Sequence, residues 1–314
     1  MSNISASTIN ELFVQKLNSP EGLEKVAMEG SSFIRQKLRE VSFARKVIQP
    51  EYVTKADLQR SVNHDGLVRI VDIEPNSKAM TVNFRGQPTS NYLQGERYEI
   101  PFYMISSEDF QKTEEELLAY EMPLTEVIER NSVKDIQKIE DSNFIKTVDA
   151  AIAANAGGSS ASPAAYALGD WTETTNGAFN KEVFEALFNV LDGNELRAET
   201  ILMSTVMFNK LFRWDATSVG DAVGSELSVN GYTYASLFGR KLIVSNKVDL
   251  LSDATNHYMY AFAGQEFLGN FNVLNDTKFW IEKKKNVISF AAYETLGIGI
   301  GNSAACAKVS LNKS

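Results

Sequence analysis

The chain has 314 residues, 44% apolar and 23% charged, ordinary values for a folded globular protein of one or two domains, with a formal net charge of −9. That acidic balance excludes a whole-protein electrostatic grip on nucleic acid, so any such contact is expected to be local and weak. A single cysteine, Cys306, and two histidines, His64 and His257, exclude an internal disulfide and a Cys/His metal site, and no apolar run approaches the roughly 20 residues that cross a bilayer.

Met1 to Thr8 is polar and carries no secretory h-region, so action or assembly inside a cell is expected. From Pro20 the apolar positions Leu23, Val26, Ala27, Gly30, Phe33, Ile34 and Leu38 recur at helical spacing, which predicts an amphipathic helix from Glu21 to about Arg39. Five basic side chains, Arg35, Lys37, Arg39, Arg45 and Lys46, crowd its C-terminal end before Pro50. They complement the negative end of the helix dipole, or they meet a partner.

The period then changes. Leu67 to Ile73 and Ala79 to Arg85, separated by Pro75-Asn76-Ser77, read as a β-hairpin with Met80, Val82 and Phe84 on one face. An isolated ribbon is marginal in water, and nothing near it in sequence supplies a core. A second strand-like segment, Tyr98 to Ile105, is broken by Pro101. Ser106-Ser107-Glu108-Asp109 has capping-box spacing and predicts an acidic helix with Phe110, Leu117 and Leu118 on its apolar side. Eight carboxylates stand against one lysine between Glu108 and Glu129, Glu114, Glu115 and Glu116 among them, a run that reads as a solvated or partner-facing surface.

Pro123 opens a long helical pattern, with Val127, Val133, Ile136, Ile139, Phe144, Val148 and Ile152 on one side and Lys134, Asp135, Lys138, Asp141 and Lys146 on the other. Gly157-Gly158-Ser159-Ser160 ends it and marks a boundary. Beyond lies an α/β pattern: a helix capped by Asn180, a strand at Ala198 to Met203, a helix from Thr205 to Trp214, and strands at Arg240 to Ser245 and Tyr258 to Ala263. Thr277 to Glu282 and Val287 to Tyr293 form a hairpin with lysines at its tip, continued by Leu296 to Gly301.

None of these stretches spells out an enzyme. The glycines of LGIGIGN, Leu296 to Asn302, lie inside apolar strand residues and do not open a helix, so close backbone packing explains them better than phosphate binding. Gly239-Arg240-Lys241 lacks the rest of a Walker loop and reads as a turn entering a strand. His64 and His257 sit in polar loop contexts, and no nucleophile, base and orienting residue can be grouped. No catalytic, cofactor-binding or metal-binding residue is assigned.

The order of these elements, together with LREVSFARKVIQP (Leu38 to Pro50), YEIPFYMIS (Tyr98 to Ser106), FGRKLIVSNKV (Phe238 to Val248) and YAFAGQEFLGNF (Tyr260 to Phe271), resembles the major capsid proteins of tailed bacteriophages, with the Hong Kong 97-type shell fold. The resemblance spans nearly the whole chain and implies an α+β fold. It assigns residues 1–55 to an N-terminal arm, 56–104 to an extended β-hairpin loop, 105–160 and 267–314 to a peripheral domain with a long spine helix, and 161–266 to an axial α/β domain.

It also implies self-assembly into hexameric and pentameric capsomers of an icosahedral or prolate head enclosing double-stranded DNA, in a virion put together in the host bacterial cytoplasm. Inter-subunit contacts are expected between the basic Arg35, Lys37, Arg39, Arg45 and Lys46 and the acidic Glu114, Glu115 and Glu116, and at Met80, Val82 and Phe84. A portal, a decoration protein and weak, non-specific contact with the packaged DNA are further expected partners, and no membrane. Some relatives begin with a long cleaved scaffolding segment; this chain reaches its arm within about twenty residues, so a separate scaffolding protein or prior removal is expected. Lys78 lies on the ribbon, but no motif licenses covalent crosslinking. An encapsulin-type compartment shell shares the fold, and a carboxylate-dependent soluble hydrolase is the alternative of another class.

Overall fold

A computed structural model describes residues 6–62, 65–73, 80–84, 86–87, 90, 95–119, 124–155, 170–173, 181–211, 236–248 and 256–312. Helices α1 (Ala6–Leu17), α2 (Pro20–Val41) and α3 (Ala44–Val47) come first, then strands β1 (Pro50–Tyr52), β2 (Gln59–Arg60), β3 (Leu67–Ile73), β4 (Glu96–Pro101), β5 (Tyr103–Ser106) and β6 (Phe110–Thr113). After α4 (Glu114–Ala119) and α5 (Leu124–Asn155) the chain alternates: β7 (Asp170–Glu173), α6 (Lys181–Asp192), β8 (Thr200–Met203), α7 (Thr205–Leu211), β9 (Ser236–Leu237), β10 (Arg240–Val244) and β11 (Asn256–Phe262). A short α8 (Gln265–Leu268) precedes β12 (Gly269–Lys284), β13 (Val287–Ile300) and β14 (Cys306–Asn312).

Three sheets result. β1, β12, β13 and β5 lie in that order with β6 also paired to β13, and β7, β14, β11, β8, β10 and β9 make a six-stranded sheet. β2, β3 and β4 form a narrow ribbon. The hairpin β12–β13 turns at Lys285 and Asn286, with Lys285 in the left-handed region at φ 58°, which puts the lysines at the tip as the sequence predicts. Phe238 and Gly239, at φ 53° and 71°, likewise turn β9 into β10, so Gly239 to Lys241 is a hairpin turn.

Helix α2 forms where expected. The Ser19 hydroxyl accepts from the Gly22 N–H at 3.2 Å, Pro20 fills the first turn, and Val26, Gly30, Ile34 and Leu38 supply a buried stripe at every fourth position. Gly30 is needed for close approach, because a Cβ there would stand 2.7 Å from the Phe279 ring on β12. The ladder between β12 and β13 shifts register between Asn275 and Lys278. Around this irregularity α2 supplies hydrogen bonds that the ladder omits: Arg35 Nε donates to the Thr277 carbonyl at 2.9 Å, and Phe279 N–H donates to Ser31 Oγ at 2.9 Å.

Helix α5, 32 residues and roughly 48 Å long, crosses from the first sheet to the six-stranded one. Ile128, Val133, Ile136, Phe144, Ile145, Val148 and Ile152 are buried along it. The period-2 alternation of β11 explains how two cores share a sheet: Tyr258, Tyr260 and Phe262 join the core beneath α5, whereas Met259 and Ala261 face the other way, into a second core with α6 and α7. Tyr260 Oη donates to Asp149 Oδ1 at 3.1 Å and Lys308 Nζ meets the same oxygen at 3.0 Å, fastening α5 to this sheet.

Several expectations change. The residues at Ser106 to Asp109 do not cap a helix: Phe110–Thr113 is strand β6, and the capping box lies at Thr113 and Glu116. Glu116 Oε2 accepts from the Thr113 N–H and Thr113 Oγ1 accepts from the Glu116 N–H, the reciprocal geometry that starts α4. Strand β3 pairs with β4, Val68 opposite Pro101 through Ile73 opposite Glu96, and not with residues 80–84, the described part of the expected second strand. Residues 80–84 are not in a strand, and the predicted turn at Pro75-Asn76-Ser77 and Lys78 lie outside the described residues. Asp141, expected on the solvent side of α5, is buried, and Ile139, expected inside, is exposed. The caps at Pro123 and Asn180, the Gly/Ser boundary after Ala156 and the C-terminal end of the Thr205 helix beyond Leu211 also lie outside the described residues. His64 lies outside them too, whereas His257 sits on β11, not in a loop. Strand β14 pairs with β11 and β7, so residues 306–312 belong with the six-stranded sheet although the sequence division keeps them with 267–305.

Candidate assembly surfaces

The ribbon is rooted by side chains and free beyond its root. Val68 and Ile100 are buried at its base. Ile100 sits over Gly297 and Gly299, and Tyr98 over Gly301, so close that a Cβ on any of the three would come within 2.6 to 2.9 Å of this strand or its side chains. This is the packing role expected for the LGIGIG glycines. Arg69 then donates to both oxygens of Glu51, at 2.8 and 3.1 Å, and to Asn272, while Tyr98 Oη donates to Asn270 at 3.2 Å. Hydrogen bonding from Arg69 holds the Glu51 carboxyl below its usual range, and the same bond raises Arg69. Further out, Asp72 and Arg97 face each other across the strands at 2.6 Å in full exposure.

Met80, Val82 and Phe84 are all exposed, Met80 about half, Val82 by 37% and Phe84 completely. Met104 on β5 and Trp280 on β12 are exposed as well.

The basic group divides. Arg35 bonds the β12 backbone and lies 3.3 Å from Asp276, Lys37 pairs with Glu40 at 2.8 Å, and Arg39 donates to Tyr52 Oη at 3.0 Å. Arg35 and Arg39 line one groove on α2 together with Glu40 and Asp276, and Lys46 is exposed. Arg45 is a correction: it lies inside its own subunit, 2% exposed, and cannot meet a neighbour. The acidic group divides too, since Glu114 pairs with Lys283 on β12 and Glu116 completes the cap of α4, leaving Glu115 exposed. Helices α1 and α2 also depart from expectation. Phe13, Val14, Leu17, Val26, Ile34 and Leu38 are buried in the core of their own subunit, with Phe13 stacked on Phe290 at 6.2 Å, so this part of the arm has a local core.

Sequence reasoning missed the group around Arg45, because its members lie far apart in the chain. Arg45 Nε donates to Glu140 Oε1 and Oε2 at 2.9 and 3.1 Å, and Nη2 donates to Glu140 Oε2 and Glu294 Oε2, both at 3.0 Å. The Ser42 hydroxyl lies 2.8 Å from Glu140 Oε1 and 3.0 Å from Asp141 Oδ1, with one proton to give between them, Thr277 Oγ1 donates to Glu294 at 2.8 Å, and Asp141 Oδ1 accepts from the Ala44 N–H at 3.2 Å. Burial works against the charge on Arg45, but Glu140 first and Glu294 next outweigh it and hold the guanidinium firmly protonated. The only sequence signal was Glu140, which falls at the four-residue spacing of the apolar positions Ile136, Phe144, Val148 and Ile152.

No protein-family model matches the chain, and neither does any curated protein. Among solved structures 177 chains match. A structure from Microbacterium phage Oxtober96 superposes with a TM-score of 0.59 at 11% identity, covering 86% of this chain and 91% of that one. The asymmetric unit of the bacteriophage PhiM1 mature capsid gives 0.57 at 10%, covering 87% and 88%, and the capsid of a native GTA particle gives 0.54 at 14%, covering 85% and 89%. At such identities the likeness is one of fold. Built from a rooted ribbon, a long spine helix and two sheets sharing that helix, this chain has the fold of phage major capsid proteins, the Hong Kong 97-type shell fold.

Proposed function

We propose that the chain is a structural subunit of a phage head, a major capsid protein that assembles with copies of itself into hexamers and pentamers of a closed shell around double-stranded DNA. The observation that carries this reading is the ribbon segment with Met80, Val82 and Phe84 exposed, on a subunit whose fold is that of capsid proteins. Large apolar side chains on a thin excursion gain burial by lying on another copy. In this reading residues 1–55 are the arm, 56–104 the extended loop, 105–160 and 267–305 the peripheral domain, and 161–266 with 306–312 the axial domain. The half-buried Arg35 and Lys37 and the exposed Arg39 and Lys46 meet acidic residues such as Glu115 of a neighbour, and the virion is where the protein resides. A scaffolding protein, a portal and a decoration protein are its further partners. Electron microscopy of the expressed protein tests this: closed shells, alone or with a co-expressed scaffolding protein, support it. A monodisperse monomer under all such conditions refutes it, and shells filled with protein cargo point to a compartment shell instead.

A further inference from the structure

The group around Arg45 does not balance in charge. One guanidinium faces Glu140 and Glu294, and all three side chains are 2% exposed or less. Asp141, equally buried, has Lys247 at 3.9 Å as its nearest cation. Two cations therefore stand against three carboxylates, and a surplus negative charge in such a place is costly unless a proton removes it.

Hydrogen bonding locates that proton. Both Glu140 oxygens and Glu294 Oε2 receive donors, from Arg45, Ser42 and Thr277. Glu294 Oε1 is buried and receives none. As a bare carboxylate oxygen it would be an unpaired buried charge, whereas as a hydroxyl it carries none. We propose that Glu294 is a carboxylic acid, protonated on Oε1, and that this proton, by leaving Arg45 only one full carboxylate charge beside it, latches the chain around Arg45 onto helix α5 and the β12–β13 hairpin.

The surroundings agree. Burial first, and Glu140 next, push the Glu294 carboxyl up to about 8, against the pull of Arg45 and Thr277. The facing groups are Arg45 with the Ser42 hydroxyl from the α2–α3 segment, Glu140 and Asp141 from α5, Asp276 and Thr277 from β12, Tyr103 from β5, and Lys247 after β10. Asp141 is the competitor for the proton, since burial pushes it up to about 7 and its Oδ2, like Glu294 Oε1, is buried without a hydrogen bond; but Oδ2 has the Lys247 ammonium at 3.9 Å and Oδ1 accepts from the Ala44 N–H, whereas Glu294 shares its cation with Glu140.

On deprotonation the Oε1 proton passes to solvent base and two adjacent carboxylates compete for one guanidinium. Below the ordinary glutamate pKa of about 4.3 both folded and unfolded chains carry the proton. From there to about 8 only the folded chain does, so stability falls with rising pH across that window by up to one proton's linkage and levels off above it. The inference rests on subunit packing alone, so failure to form shells leaves it standing.

The test uses the full chain. Infrared difference spectra across pH 6 to 9, roughly the span bracketing the raised carboxyl, should show a buried carboxylic-acid carbonyl band that disappears near pH 8 and is missing from Glu294→Gln. Hydrogen exchange at residues 42–48, corrected for intrinsic base catalysis, should accelerate over the same step in the wild type and not in the variant. Should Glu294→Gln fold poorly, Glu140→Gln serves: it leaves Arg45 one carboxylate, so Glu294 ionises at lower pH and the same band is lost early. A band that survives in Glu294→Gln and vanishes in Asp141→Asn, or exchange at 42–48 indifferent to Glu294, overturns the proposal.

Discussion

Replacing Gly299 with alanine should loosen the ribbon from the body by a measurable and assignable amount. The φ of Gly299 is not in the left-handed region, so alanine is acceptable to the backbone and the effect is steric. Its Cβ would lie 2.6 Å from Ile100 Cγ1, 2.9 Å from Cδ1 and 3.4 Å from Cγ2, where ordinary contact begins near the last of these. Ile100 is completely buried and cannot swing out, so β4 must retreat from β13 by most of an ångström. Overpacking of this kind costs about 1–3 kcal/mol. Ile100→Ala alone removes all three offending carbons and should cost about 2–5 kcal/mol through the cavity it leaves. In the double variant the new methyl fills part of that cavity, so the two losses should fall short of their sum by at least about 1 kcal/mol. Urea unfolding midpoints of the four proteins measure the cycle, and exchange of the β3 and β4 amides reports where the strain sits. Additive losses, or a Gly299→Ala protein as stable as the parent, would refute the account of the glycine strip.

Arg45→Met should destabilise the subunit by about 3–5 kcal/mol, because Glu140 and Glu294 lose their cation while staying buried. Combining it with Glu140→Gln and Glu294→Gln should recover a large part in chemical denaturation, and no recovery would count against the charge argument. Phe84→Ser should leave the unfolding midpoint unchanged, since the ring is fully exposed, yet lower the particle yield seen by electron microscopy. Lys37→Glu and Arg39→Glu together break only contacts between exposed or half-exposed groups, each worth about 1 kcal/mol or less. Their main effect should be on assembly followed by light scattering, and unchanged yield removes this face from the contacts.

Much of the fold follows from local periodicity. Helix α2, most of α5, the β12–β13 hairpin and the glycine strip could all be read because each signal is complete within its own segment. The errors occur where partner choice is non-local. Residues 79–85 alternate as convincingly as β4, but only β4 carries Ile100 and Tyr98 to seat on the glycines of β13, nearly two hundred residues away. Ser106 to Asp109 has the composition of a cap, yet pairing with β13 claims Phe110–Thr113 first. Arg45 reads as one more surface cation because its carboxylates come from α5 and β13, and nothing in a basic stretch distinguishes the residue that will be buried.

The place of β14 bears on how the protein is made. It lies inside the six-stranded sheet, flanked by β11 and β7, yet it follows both in the chain. A nascent polypeptide that has emerged through β11 therefore holds a sheet with a vacant slot, its backbone groups unsatisfied on that side. Folding of this sheet is completed only after β12, β13 and β14 are released, so fragments cut short during synthesis lack an inner strand and leave β7 and β11 without the neighbour that joins them.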